Sequence, residues 1–199
     1  MKKLLLTLAI VASAAVSYGQ GTIQFNNSTL QRFQVVTNGS GQAPVNAPAS
    51  FAVNIGFFYA GPGTNSATLA LSPTLGTMSA TPGVMNAQAI YPLAGTEPND
   101  TVTMLVRAWS SSFGSNWQAA QVAYLAGTPG VAYGETAQRN SDPLGATAGP
   151  GQVIWQGATG TATTKFTPLL INVNPVPEPT TIALGILGAG SLLFLRRKK

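Results

Sequence analysis

Nine consecutive residues, Phe51-Ala-Val-Asn-Ile-Gly-Phe-Phe-Tyr59, alternate with a period of two. Side chains of a strand point to opposite faces in turn. Phe51, Val53, Ile55, Phe57 and Tyr59 therefore share one face of a predicted strand, and Ala52, Asn54, Gly56 and Phe58 the other. Gly61-Pro62-Gly63-Thr64-Asn65 reads as a turn, after which Ala67–Leu71 is placed to return as a hairpin partner. Thr101–Trp109 repeats the pattern, with Val102, Met104, Val106 and Ala108 on one side and Thr101, Thr103, Leu105, Arg107 and Trp109 on the other. Shorter strand candidates are Thr22–Asn26, Arg32–Thr37, Val84–Ile90, Gln152–Gln156 and Thr161–Val173, the last broken by Pro168. Trp117–Leu125 could be strand by length, but its Ala and Gln content favours a short helix. Asn38–Ser50 and the Gly/Pro-rich run Gly127–Gly151 read as loops, and Asn172–Val176 as a linker. Many short strands separated by Gly/Pro turns predict an all-β body, an antiparallel β-sandwich or jelly roll.

The two ends of the chain do not belong to that body. Residues 1–19 open with Lys2 and Lys3, continue through an apolar run from Leu4 to about Ala15, and finish with the small residues Ser17 and Gly19. This is the layout of a secretory signal peptide, with cleavage expected between Gly19 and Gln20 by signal peptidase. At the other end, Pro175-Val176-Pro177-Glu178-Pro179 precedes 16 uncharged residues, Thr180–Leu195, and then Arg196, Arg197, Lys198 and Lys199. A helix of that span is about 24 Å long at 1.5 Å per residue, somewhat short of the ~30 Å hydrocarbon core. Arginine snorkelling and local bilayer thinning can cover the difference. The terminal cations act as a stop-transfer signal that stays in the cytoplasm, so the body lies outside it.

Composition then changes meaning. The formal net charge of +5 rests on six of ten cations, Lys2, Lys3 and Arg196–Lys199, that lie in these end segments. Between Gln20 and Asn174, Arg32, Arg107, Arg139 and Lys165 balance Glu97, Asp100, Glu135 and Asp142. A neutral body gives no basic surface for nucleic acid. The expected division is a signal peptide over 1–19, a secreted β-sandwich domain over 20–174 and a sorting segment over 175–199.

The combination of Pro177-Glu178-Pro179, a short apolar span and a basic terminus resembles the PEP-CTERM sorting signal of Gram-negative bacteria, also labelled the ice-binding protein C-terminal domain. The resemblance covers residues 175–199. It implies processing at Val176, Pro177, Glu178 and Pro179 by an exosortase-like membrane enzyme. It also implies transient residence in the inner membrane, then delivery to the cell surface or outside the cell. Proline disfavours helix and strand alike, which keeps such a cut site extended.

Chemistry within the body is sparse. With no His and no Cys in the chain, Ser-His-Asp and Cys-His catalysis and thiolate or imidazole metal sites are excluded. Glu97, Asp100, Glu135 and Asp142 are the only carboxylates for a glycosidase pair; Glu97, Asp100 and Asn99 are the oxygen donors nearest to a Ca²⁺ set. Solvated turn charges are the favoured reading of both, and the expectation is a non-enzymatic protein with no cofactor and no metal. Trp109, Trp117 and Trp155 are candidates for stacking on sugar rings, which would make the body a carbohydrate-binding module of the exopolysaccharide matrix. Core packing is the favoured reading of the same rings. The threonines at 101, 103, 161, 163 and 164 are too irregularly spaced for a flat ice-binding array.

Overall fold

The computed structural model describes residues 20–25, 27, 32–49, 51–62, 69–86, 91–146, 151–155, 166–167 and 169–176. The described chain is mostly β, as expected, with one α-helix. Its strands are β1 (Thr22–Gln24), β2 (Gln34–Thr37), β3 (Val45–Asn46), β4 (Val53–Ala60), β5 (Ala70–Met78) and β6 (Met85–Asn86). They continue as β7 (Tyr91–Pro92), β8 (Thr103–Ser110), β9 (Ala132–Glu135), β10 (Arg139–Asn140), β11 (Gln152–Val153) and β12 (Leu170–Val173). A 3₁₀ turn, Ser111–Phe113, and helix α1, Trp117–Leu125, stand between β8 and β9.

The strands form two sheets. One runs β11-β1-β7; the other runs β3-β2-β12-β9-β8-β4-β5-β6, with β10 also paired to β8. The two strongest sequence strands lie side by side at the centre of the larger sheet, antiparallel from Val53↔Ser110 to Ala60↔Thr103. Their faces fall as the alternation predicts. Val53, Ile55, Phe57, Met104, Val106 and Ala108 join Ile23 of β1 and Phe25 just after it, and Tyr91, Leu93, Ile154 and Trp155, in one core. Side chains of both sheets thus meet; Phe25 and Phe57 have ring centroids 5.7 Å apart.

The opposite face of the large sheet is also covered. Phe58, Leu105 and Trp109 pack under Ala120, Trp117 and Tyr124 of α1. Gly56 makes room there: a Cβ at this position would lie 2.8 Å from Trp109 Cη2 and 2.7 Å from Leu71 Cδ1. The helix begins at Asn116, whose Oδ1 accepts from Ala119 N at 3.1 Å. It ends with Thr128 N donating to Ala123 O and Gly127 N to Tyr124 O, both 3.0 Å, the paired bonds of a Schellman closure.

Several expectations need correction. The sheet is mixed: β12 pairs with β2 in parallel, and β1 with β11 in parallel. The predicted loop Asn38–Ser50 contains β3, paired to β2 through Val35↔Val45. The predicted loop Gly127–Gly151 contains β9, which sits between β8 and β12. That strand reads as loop because of Gly134, yet the glycine is what permits it. A Cβ there would lie 2.4 Å from Leu170 O on the neighbouring strand. The hairpin partner of β4 is longer than Ala67–Leu71, and its pairing shifts register between Gly56 and Phe58, where Pro73 has no N–H to offer the ladder. Of Val84–Ile90, Met85–Asn86 form β6, and residues 87–90 lie outside the described residues.

The chain enters and leaves this body at opposite ends of β4 and β8. Gly21 N donates to Thr96 O at 3.2 Å and Leu93 N to Gly21 O at 2.9 Å; that corner lies beside the C-terminal end of β4, where Tyr59 OH reaches Ala94 O. Asn174 lies at the other end, beyond Val173↔Ala132 and near Ser110. The signal segment 1–19, including Gly19, and residues 177–199 lie outside the described residues. Among the described residues no helix is long and apolar enough to cross a membrane; the predicted span 180–195 is not among them.

Candidate functional site

Asn174 follows the last residue of β12 and is only 5% exposed. Asparagine carries two amide donors, a side-chain carbonyl and the usual backbone pair, and every one of these groups is engaged here. Its N donates to Val131 O at 3.0 Å, and its O accepts from Gly130 N at 3.0 Å. Its Nδ2 donates to Tyr124 O at 2.8 Å and Thr128 O at 3.1 Å. Its Oδ1 accepts from Asn38 Nδ2 at 3.0 Å. The carbonyls of Tyr124 and Thr128 lie at and just beyond the C-terminal end of α1, where Gly127 N and Val131 N also donate to them. The asparagine thus ties β12, β9, the turn after β2 and the helix end together.

The predicted linker Asn172–Val176 is accordingly shorter than expected. Asn172 and Val173 are strand, Asn174 is buried, and only Pro175 and Val176 lie on the surface. Val176 is 65% exposed and runs past Gly130, where an added Cβ would sit 3.3 Å from Val176 Cγ2. Of the expected processing residues, Val176 is therefore placed, exposed and just beyond the last buried residue. Pro177, Glu178 and Pro179, and the cations Arg196, Arg197, Lys198 and Lys199, lie outside the described residues. Gln20, on the other side of the expected signal cleavage, is half-buried at the chain's entry.

Around the exit the surface is neutral. A depression of about 240 Å³ on this end is lined by Phe51, Ser110, Ser111, Ser112, Gly130 and Ala132 among others. Ser110 Oγ accepts from Ala132 N at 2.7 Å, and no charged residue lines the depression, so its hydroxyls have no neighbouring base to activate them.

The tryptophans do not form a sugar platform. Trp109 and Trp155 are 0% and 1% exposed, and they belong to different cores on opposite faces of the large sheet. Stacking needs an open ring face, which neither has. Trp109 Nε1 donates to Gly114 O at 2.8 Å. Trp117 is half-buried, and one of its faces is occupied by the Arg107 guanidinium, 3.8 Å from the ring centroid.

The carboxylates are tied into separate local structures. Asp100 Oδ2 accepts from Glu97 N at 2.7 Å and closes that turn. Asp142 Oδ2 accepts from Gln152 Nε2 at 3.3 Å. Glu135 is ion-paired to Arg107 and accepts from Tyr133 OH at 2.9 Å. Burial, and next the bond to Glu135, push the Tyr133 phenol well above its ordinary range. Glu135, expected as a solvated loop charge, is thus part of the packing that holds α1: Arg107 also lies over Phe58 at 4.6 Å. Among the described residues no group of three acids could hold a metal ion.

No curated protein and no solved structure matches the chain. The tail is a different matter. The family model of the PEP-CTERM protein-sorting motif matches residues 175–199, beginning at the residue after the fully bonded Asn174, so the chain carries at its exit the tail of an exported protein that an exosortase-like enzyme processes.

Proposed function

We propose that this protein is a non-enzymatic surface or extracellular-matrix protein whose tail holds it in the inner membrane only until it is cut. The body is read as a sandwich-like frame, supported by the single core that its two sheets share. Signal peptidase removes residues 1–19. The span 180–195 then enters the membrane, with Arg196–Lys199 in the cytoplasm and the body outside. An exosortase-like enzyme cuts near Pro177-Glu178-Pro179 and passes the body to the cell surface or the extracellular matrix.

The observation that carries this reading is the join at residue 174. The motif match starts at 175, and the last buried, fully bonded residue is Asn174. A cut beyond Val176 removes nothing that the described fold uses. Intact-mass analysis of the protein recovered outside the inner membrane tests it. The expected species starts at Gln20 and ends between Pro177 and Pro179. A released or surface protein that still ends in Lys199 overturns the processing, and one that starts at Met1 overturns the signal cleavage.

A further inference from the structure

We propose that the exit end of the body, the exposed C-terminal half of α1 together with Val176, is a lipid-contacting face that rests on the outer surface of the membrane while the tail is inserted. This rests on the reading above that residues 180–195 span the bilayer.

The face is apolar and exposed. Val122, Leu125 and Val176 are 67%, 74% and 65% exposed, three of the five large hydrophobic side chains so exposed among the described residues. They lie together at the exit. Leu125 follows Tyr124, whose carbonyl takes the Asn174 amide, and Val122 is one helical turn before it, its carbonyl accepting from Ala126 N at 2.9 Å.

The face is also free of charge. No Lys, Arg, Asp or Glu occurs from Ala108 to Gly134 or from Phe33 to Thr96, the stretches that supply α1, the turn at Asn38 and Gly130. The charges that pack against α1, Arg107 and Glu135, are paired with each other beside Trp117 and Tyr133, so bringing the face into the headgroup layer leaves no unpaired ion without water.

The tether allows little else. From Val176 to Thr180 there are four Cα steps, at most about 15 Å at 3.8 Å each. The headgroup layer is itself roughly 5–8 Å deep on each side of the hydrocarbon. The short span adds to this: about 24 Å of helix against about 30 Å of hydrocarbon, with the cations held at the cytoplasmic side, draws the exit inward. Because Asn174 is fixed to the helix end, what the tether pulls on is α1 itself. The contact uses no charge, so it should not depend on anionic lipid.

The chain has no cysteine, so single cysteines can carry a fluorescent label uniquely. Full-length protein is reconstituted in phosphatidylcholine vesicles with the label on Leu125→Cys, on Ala94→Cys at the opposite end of the body, or on Ser191→Cys within the span. Spin-labelled phosphatidylcholine is the quencher. Quenching of the Leu125 label several-fold above the Ala94 label, together with a quenched Ser191 label, is expected. A quenched Ser191 label with Leu125 no more quenched than Ala94 overturns the docking while leaving the membrane span standing. An unquenched Ser191 label overturns both. A Leu125 label shielded from aqueous iodide but not quenched by lipid means that a second copy covers the face, and overturns the proposal as well.

Discussion

Asn38 Nδ2 donates to Asn174 Oδ1 at 3.0 Å and to Tyr124 OH at 2.8 Å. A residue from the turn after β2 thereby holds the last residue of the body against the end of α1, across 136 positions of sequence. This bond and the four others that Asn174 makes fix the point from which the tail leaves the body.

Asn174→Ala should destabilise the protein by about 1–3 kcal/mol, the cost of leaving buried polar groups unpaired. The carbonyls of Tyr124 and Thr128 each lose one of their donors, and Asn38 Nδ2 loses one of its acceptors. Asn174→Asp should be no better, since a carboxylate cannot donate to either. Urea midpoints of the three proteins measure this; an Asn174→Asp variant as stable as the native chain would contradict the assigned amide orientation.

Two buried tryptophans should respond differently to loss of the indole. Trp109 Nε1 has an acceptor in Gly114 O, whereas Trp155 Nε1 is buried without one among the described residues. Trp109→Phe loses ring volume and a hydrogen bond; Trp155→Phe loses volume but also removes an unpaired donor. Trp155→Phe is expected to cost at least ~1 kcal/mol less in denaturant unfolding. Equal costs would mean that the indole of Trp155 is satisfied in solution.

Arg107 should contribute through its rings as much as through its charge. It pairs with Glu135, whose side chain is 36% exposed, so the ion pair alone is worth at most about 1 kcal/mol. The guanidinium also lies over Trp117 and Phe58, each contact worth roughly 0.5–1 kcal/mol. Arg107→Ala is expected to lose about 1–3 kcal/mol. Arg107→Lys keeps the charge but not the planar stack and should recover only part. Thermal melts followed at the Trp117 signal decide it, and complete recovery by lysine would leave the pair as the whole effect.

Stability should fall in alkali through Tyr133. Its folded pKa is raised by burial and by Glu135, so above about pH 10 the unfolded phenol ionises while the folded one resists. The contribution is fully present below the unfolded value and is lost as pH rises from there toward the folded one. Tyr133→Phe should flatten the decline in urea midpoint between about pH 9 and 11, at the cost of the bond to Glu135 at neutral pH. An unchanged slope would refute the shift.

The alternation of Phe51–Tyr59 and Thr101–Trp109 made the centre of the large sheet legible, including which residues face the main core. The helix at Trp117–Leu125 was legible from composition. What those residues do to each other was not. Arg107 and Thr103 gave the second face of β8 a solvent-facing look, and only the packing of α1 makes Trp109 a core residue. The ninth strand carries too little pattern in Ala132–Glu135 to announce itself; it is a strand because β8 and β12 pair with it on either side. The parallel pairing of β2 with β12 joins residues far apart in sequence, and no local signal encodes such a partner. Of the exit site, the motif was legible and its anchor was not, because an asparagine before a proline reads as linker until its bonding partners are known.

Entry and exit at opposite ends give the body an axis. Between them runs β4, eight residues or about 24 Å of strand. Glu97, Asp100, Arg139 and Asp142 gather toward the entry end, and the exit end carries no charge. A molecule seated by its exit end therefore stands upright and shows neighbouring cells and polymers only its charged pole. On the seating proposed above, cutting the tail would uncover the neutral pole for the first time, so release would change the surface that the outside world meets as well as the protein's position.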